Sequence, residues 1–187
     1  MHIKLTNMTT APPKAQLIQA LQTSFQDAID WINAQPEDHF NKDLVPGKWT
    51  IAGHLYHLIK STKAVSKGML MPKMGLRTMF GKNNRQERTY DEMVMKYEAV
   101  LATTNLKAPS SYEAEPGRTF ERAALILRFQ GELQDMINAL DRWSEEDMSA
   151  YIMPHPAVGK CTIREFVYFT TLHTYHHLDI LKEQYAK

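Results

Sequence analysis

Histidines grouped near the C-terminal end are the residues of this sequence whose type and spacing most directly suggest chemistry. The run Leu-His-Thr-Tyr-His-His-Leu contains His173, His176 and His177. Residues four apart lie one above the other on a helix, so His173 and His177 present two imidazoles on one face. Such a pair is how a helix binds a divalent metal ion. A second helical segment far upstream carries His54 and His57.

The periodicity of the last helix places the pair on its buried face. At roughly 100° per residue, one stripe contains Ile163, Phe166, Thr170, His173, His177, Ile180 and Gln184. His176 lies toward the edge of this stripe. Burying an imidazole without a partner costs on the order of 1–3 kcal/mol. The two rings therefore need either a metal ion or hydrogen-bonded polar neighbours, and the helix alone does not decide between them.

The upstream histidines leave a choice. The face that carries His57 is otherwise made of small residues, which would leave room for a cavity beside a bound ion: Thr50, Gly53, Ser61, Ala64 and Gly68. The stronger apolar arc of this helix lies well round from His57 and nearer to His54. Periodicity alone slightly favours His54 as the inward residue and does not settle the question.

Three imidazoles without a thiolate leave coordination positions open, as in a catalytic site, whereas a structural zinc site fills all four. An open site lowers the pKa of a bound water or thiol and makes hydroxide or thiolate available near neutral pH. Imidazole suits zinc, nickel and ferrous iron, so the identity of the ion stays open. The sequence contains no Glu-x-x-His, HExxH, GxSxG, P-loop or GxGxxG motif. These absences leave a histidine-only metal site or no catalytic site.

Long amphipathic helices must position these residues, and no strand is predicted. The predicted helices cover about 13–33, 50–67, a segment from 89, about 119–143, and a segment from 162 nearly to the end. Thr50 is the expected N-cap of the second helix. The segments that open at Thr89 and Thr162 read as capping boxes completed by Glu92 and Glu165.

Breaks between the helices are marked by glycine, proline and capping residues. Gly68 and Pro72 are expected to end the second helix, and 105–118 and 153–159 are predicted loops. Ser144 is expected to cap a short helical turn. The predicted fold is all-α, an up-and-down four-helix bundle with an additional short helix and long connecting loops.

The composition predicts one globular domain over residues 1–187. An apolar fraction of 43% excludes a disordered chain, and a net charge of +1 gives no field that favours nucleic acid or an anionic membrane. The single cysteine, Cys161, excludes an internal disulfide and fits a reducing compartment. The segment Met1–Lys14 lacks the apolar core of a signal peptide, and no apolar run reaches membrane length. A cytoplasmic protein without membrane contact is expected.

A basic stretch lies at 60–88, where Glu87 is the single acidic residue. It could hold an anionic substrate or nucleic acid, but a solvated loop is the preferred interpretation. The same stretch contains an adaptable apolar set that could be a lid over the site, with packing or dimerisation as the preferred interpretation: Met69, Met71, Met74, Met79 and Phe80. His155, between two prolines, could face the mouth of the site, but a loop histidine exposed to water is the preferred interpretation. Glu165 is expected to be structural.

Two motifs, one at the start of the second predicted helix and one in the last helix, resemble the DinB-like superfamily of metal-binding four-helix bundles. One is Gly47-Lys-Trp49-Thr50-Ile51 followed by His57-Leu58, and the other is Thr162-Ile-Arg-Glu165 running into His173-Thr-Tyr-His176-His177. A His155-Pro156…Gly159 loop and the His-His-Leu run are similar to one branch of that superfamily. Leu178-Asp179-Ile180 departs from the Arg-Gly-Gln run that often follows the family's histidine pair.

The resemblance implies a ligand triad of His57, His173 and His177, and thus selects His57 over His54. It also implies one divalent ion (zinc, nickel or iron), a small-molecule substrate, a homodimer, and S-transfer or isomerisation with low-molecular-weight thiols or else hydrolysis. No general base is identifiable. The competing hypothesis is a non-enzymatic helical binding or dimerisation module with a hydrogen-bonded histidine core.

Overall fold

The computed structural model describes Leu5, 11–104 and 107–185, and within these residues the chain is mostly helical with one small antiparallel sheet. The helices are α1 Lys14–Asn33, α2 Ile51–Met69, α3 Lys73–Phe80, α4 Tyr90–Thr103, α5 Arg122–Leu140, α6 Glu145–Ala150 and α7 Ile163–Gln184. The strands are β1 Ile152–His155 and β2 Gly159–Thr162, and single 3₁₀ turns lie at Glu37–His39 and Ser110–Tyr112. The predicted all-α class is confirmed at the level of a mostly helical fold.

Some expectations fall outside this part of the chain. Most of Met1–Lys14 and the first two residues of the loop predicted at 105–118 are not among the described residues. Of the helices that are described, none combines the length and hydropathy that crossing a bilayer requires.

The four longest helices pack against one another through their apolar faces. α1 contacts α5 and α7, and α2 contacts the same two helices, while α4 lies against α7. At the centre of this core, the rings of Phe25 and Phe129 stack with their centroids 4.0 Å apart. Burying such a side chain contributes about 1.5–3 kcal/mol. The two histidine-bearing helices, α2 and α7, are therefore neighbours, with α5 packed against α2 and α1 packed against α7.

The predicted caps are confirmed. The hydroxyl of Thr50 accepts a hydrogen bond from the Gly53 amide, and Ser144 caps α6 in the same way. Thr89 and Thr162 each form a capping box with the glutamate three residues later. These bonds satisfy amide groups that the first turn of a helix leaves free, which explains why the helix starts were readable from sequence.

The prediction of no strand is wrong at 152–162, where β1 and β2 form a hairpin. Ile152 pairs with Thr162, and His155 pairs with Gly159 at the turn. Each strand has four residues, too few for a clear alternation of apolar and polar positions. Pro154 lies in β1 although it lacks an N–H to donate, because both strands of a two-stranded sheet have an open edge that tolerates its missing N–H.

The break predicted after Gly68 is instead a short interruption followed by α3. Pro72 immediately precedes this helix with φ −57°, and its missing amide proton costs nothing at a helix start. The methionines of this region divide into two groups, since Met69 is 1% exposed while Met74 and Met79 are 77% and 62% exposed. The packing interpretation holds for Met69, and self-association remains a prediction.

The basic stretch is anchored at its end by a buried carboxylate. Arg85 Nη2 and Arg88 Nη2 donate to Glu165 Oε2 at 2.6 and 2.8 Å, and the Glu165 side chain is fully buried. Burial alone would raise the pKa of Glu165, but the hydrogen bonds from Arg85 and Arg88 hold it at about 2. The solvated-loop interpretation is therefore wrong at Arg88, whose side chain is only 15% exposed. These bonds tie the segment before α4 to the first turn of α7.

Candidate metal centre

Helices α2 and α7 bring three of the histidines to one point. His173 Nε2 lies 3.3 Å from His57 Nε2 and 3.1 Å from His177 Nε2. The donor nitrogens of all three residues lie within 4.8 Å of one another, and all three side chains are buried. Tetrahedral zinc, with Zn–N bonds of about 2.0–2.1 Å, separates its ligand nitrogens by about 3.3 Å. The spacing of these nitrogens therefore fits a shared metal ion.

The backbone fixes which nitrogen of His57 carries the proton. His57 Nδ1 lies 3.3 Å from the carbonyl oxygen of Tyr112, which can only accept a hydrogen bond. Nδ1 must therefore be the donor, and in the neutral ring Nε2 is bare. Ser61 Oγ lies 3.4 Å from His57 Nε2, but its hydroxyl proton is donated to the His57 carbonyl at 2.8 Å. A free lone pair on His57 Nε2 consequently faces His173.

His54 contacts Nδ1 of His177, the ring nitrogen that does not face His173. The Nδ1 atoms of His54 and His177 are 2.7 Å apart, so one of them must donate to the other. If His177 presents a bare Nε2 to His173, its Nδ1 carries the proton and donates to His54. Metal-binding histidines commonly use their second nitrogen in this way, because the outer hydrogen bond orients the ring. His54 is thus inward, as periodicity favoured, but it is His57 that reaches the other two imidazoles.

Counting protons favours an ion over hydrogen bonds alone. Without an ion, either a single proton on His173 Nε2 serves both His57 and His177, or His177 donates to His173 and the contact between His173 and His57 holds no proton. A divalent cation accepts all three lone pairs at once, and the protons then sit on the outer nitrogens. The donor set, three neutral imidazoles without a thiolate or carboxylate, suits zinc, nickel or ferrous iron.

Burial keeps these histidines neutral. Desolvation, followed by repulsion from neighbouring histidines, lowers the pKa of His54 to about 3. Desolvation also lowers the pKa of His57 to about 4, against the opposing hydrogen bond to Tyr112. Desolvation likewise holds the pKa values of His173 and His177 well below the ordinary range. Since a metal ion binds only the neutral imidazole, no proton has to leave these rings at pH 7.

A cavity of about 550 Å³ opens beside the three histidines. Ser61, Ala64 and Gly68 line it along α2, so the small-residue face predicted beside His57 does border a cavity. A Cβ atom at Gly68 would lie 2.7 Å from Met153 Sδ, so the glycine also allows the hairpin to approach α2 closely. The indole of Trp49 stacks on His177 at an interplanar angle of 8° and covers the cluster from one side.

Sequence reasoning missed several residues of this site. His155 is half-buried and lines the cavity with its ring centroid 4.0 Å from that of Phe169, so the preferred interpretation of an exposed loop histidine is wrong and the alternative position at the site mouth is the one found. Its proximity depends on the hairpin, which the sequence did not reveal. Tyr112 contributes a backbone carbonyl, a group that every residue type carries, so no sequence signal could have identified it. Tyr97 also lines the cavity, from the buried face of α4.

A family model described as DinB superfamily matches residues 21–181. The chain belongs to the DinB superfamily. The matched range includes every histidine of the cluster on α2 and α7. No curated protein matches this DinB chain in a sequence search. Family membership and the three converging imidazoles are together compatible with a metal-binding protein.

Proposed function

We propose that this DinB protein is a metal-dependent enzyme that binds one divalent ion through Nε2 of His57, His173 and His177. The convergence of these three nitrogens from two helices carries the proposal. In this proposal α1, α2, α5 and α7 form the up-and-down four-helix bundle of the superfamily, and the ion joins two of its helices. Zinc, nickel and ferrous iron all suit the donor set.

The coordination positions left open would face the cavity, where a small-molecule substrate would bind. An ion in such a site supplies a Lewis acid that lowers the pKa of a water or thiol ligand. The chain's own residues orient the ligands through His54 and Tyr112 and exclude water through Trp49. Thiol-dependent S-transfer and hydrolysis are the reaction classes that the family resemblance supports. Among described residues that line the cavity there is no carboxylate, so a proton acceptor would have to be another group.

Metal analysis of protein purified without a histidine tag tests the proposal. We expect close to one ion per chain, and removal of the ion by a chelator should lower the melting temperature. A ligand at 100 times its Kd stabilises the native state by about 2.7 kcal/mol. Substoichiometric metal together with a chelator-insensitive melting temperature would contradict the proposal. That result would support the hydrogen-bonded histidine core instead, for which the contact between His54 and His177 is the favouring observation.

Exchanging each upstream histidine for leucine distinguishes their roles. His54→Leu removes the acceptor of the His177 Nδ1 proton, and loss of such an outer partner typically lowers metal affinity by about 10- to 100-fold. We expect this variant to retain one site per chain with weaker affinity, measured by competition with a chromogenic chelator. His57→Leu should lose more affinity because it removes a ligand. The reverse order would identify His54 as the ligand.

A further inference from the structure

The hairpin turn fixes the tautomer of His155. Its Nδ1 accepts hydrogen bonds from the backbone amides of Ala157 and Val158, at 3.1 and 3.3 Å. A nitrogen that accepts cannot carry a proton, so the neutral ring holds its proton on Nε2. Burial, aided by the nearby Arg88 guanidinium, lowers the pKa of His155 to about 4, which keeps the ring neutral at pH 7.

The Nε2–H group of His155 is a donor without a partner. No residue in the described part of the chain accepts a hydrogen bond from it, although both hydrogen bonds to Nδ1 are made. The ring borders the cavity beside the histidine cluster and lies against Phe169 and Phe166, whose centroids are 4.0 and 5.9 Å away. A fixed donor at an aromatic wall is suited to bind one acceptor atom of a ligand and to orient it.

The charge of the cavity lining restricts what can enter. Lys107 is the one charged side chain among the described lining residues, and it is exposed to solvent. The remaining lining is neutral and mainly apolar or aromatic. Away from the proposed metal ion, a ligand that carries several charges would give up its hydration here and find no ionic partner among the described lining residues except the exposed Lys107, which is unfavourable.

We propose that the cavity accepts a neutral, largely apolar molecule with one hydrogen-bond acceptor, and that His155 Nε2–H binds this acceptor. This inference rests on the proposed function in that it describes the substrate of the same site. His155 is then a residue that sets substrate specificity. Beyond the group that would bind the metal ion, the lining also disfavours further charged groups on a thiol, which narrows the cosubstrates of the proposed reaction.

Three probes of nearly one shape test the inference on chelator-treated protein. Acetophenone carries a carbonyl acceptor, α-methylstyrene replaces that oxygen by a methylene group, and benzoate replaces the acetyl group by a carboxylate. NMR titration gives the three dissociation constants. We expect benzoate to bind more weakly than acetophenone by at least about tenfold, because its charge is unpaired in the cavity.

The hydrogen bond itself is measured by the affinity ratio of acetophenone to α-methylstyrene. His155→Phe should lower this ratio by about 2- to 10-fold, the usual worth of one hydrogen bond, with little change for α-methylstyrene. His155→Gln keeps a hydrogen-bond donor and should therefore lower this affinity ratio less than His155→Phe does. His39→Phe is the matched control, since His39 does not line the cavity and its exchange should leave the ratio unchanged.

A second measurement needs no variant. The ¹⁵N resonance of His155 Nε2 should shift when acetophenone is added and much less with α-methylstyrene. An affinity ratio unchanged in His155→Phe, a resonance that does not distinguish the probes, or equal binding of benzoate would each overturn the inference. Because the probes are measured without metal, their result is independent of metal stoichiometry. A chain that binds no ion yet shows the His155-dependent ratio would overturn the proposed function alone.

Discussion

His173→Ala is expected to abolish stoichiometric metal binding. His173 Nε2 is the central atom of the cluster, 3.3 Å from His57 Nε2 and 3.1 Å from His177 Nε2. Its removal leaves only His57 Nε2 on α2 and His177 Nε2 on α7 as proposed ligand atoms. The loss of affinity should exceed the roughly 10- to 100-fold that an outer hydrogen-bond partner contributes. Metal analysis after gel filtration and calorimetric titration of the metal-free variant measure the effect.

His176→Ala is the control for this experiment. His176 lies on the same helix between the two proposed ligands, but it is not among the three residues whose nitrogens converge. Its exchange removes an imidazole without removing a ligand, so the ion content should stay near that of the unmodified protein. Full metal content in His173→Ala, or equal losses in both variants, would show that the ion is not held as proposed.

The metal-free protein should lose stability steeply as the pH falls below 6.5. The unfolded chain binds protons at its histidines near pH 6.5, whereas burial lowers the pKa of His54 to about 3 and that of His57 to about 4. Between pH 6.5 and these lowered pKa values, the unfolded state binds more protons than the native state. The free energy of unfolding therefore decreases as the pH decreases. Each such histidine contributes about 1.4 kcal/mol per pH unit in this window. Urea unfolding at pH 7 and pH 5 measures the change.

His54→Leu separates this effect from general acid denaturation. Without His54 one titrating group is absent, so stability should fall less steeply between pH 7 and pH 5. The carboxylate of Glu165 does not contribute in this range, because its pKa of about 2 and the ordinary glutamate value both lie below pH 5. A free energy of unfolding that is constant from pH 7 to pH 5 would contradict the burial of neutral imidazoles.

The features that sequence predicted correctly are those encoded locally. The capping boxes at Thr89 and Thr162 and the cap at Thr50 depend on residues three apart, so the helix starts followed from the sequence. The shared face of His173 and His177 depends only on helical periodicity. These signals do not depend on how the helices pack, so they can be read from a single sequence.

The features that sequence missed depend on packing between distant segments. Periodicity could not decide which of His54 and His57 meets both His173 and His177, because this is set by the rotation of α2, which its contacts with α5 and α7 determine. Both residues are buried, so a correct prediction of burial could not have shown which of them is the proposed ligand. The role of His155 required the hairpin, and the hairpin is stabilised by tertiary contacts rather than by strong strand propensity.

The four-residue spacing on α7 has a consequence for assembly of the site. A single helical turn already sets two of the proposed ligands side by side, so an ion can be chelated by α7 before any other part of the chain is in place. Arrival of α2 would then supply the third donor, and a bound cation would cross-link segments that lie far apart in sequence. Metal supply during synthesis would in this way influence how quickly the chain matures.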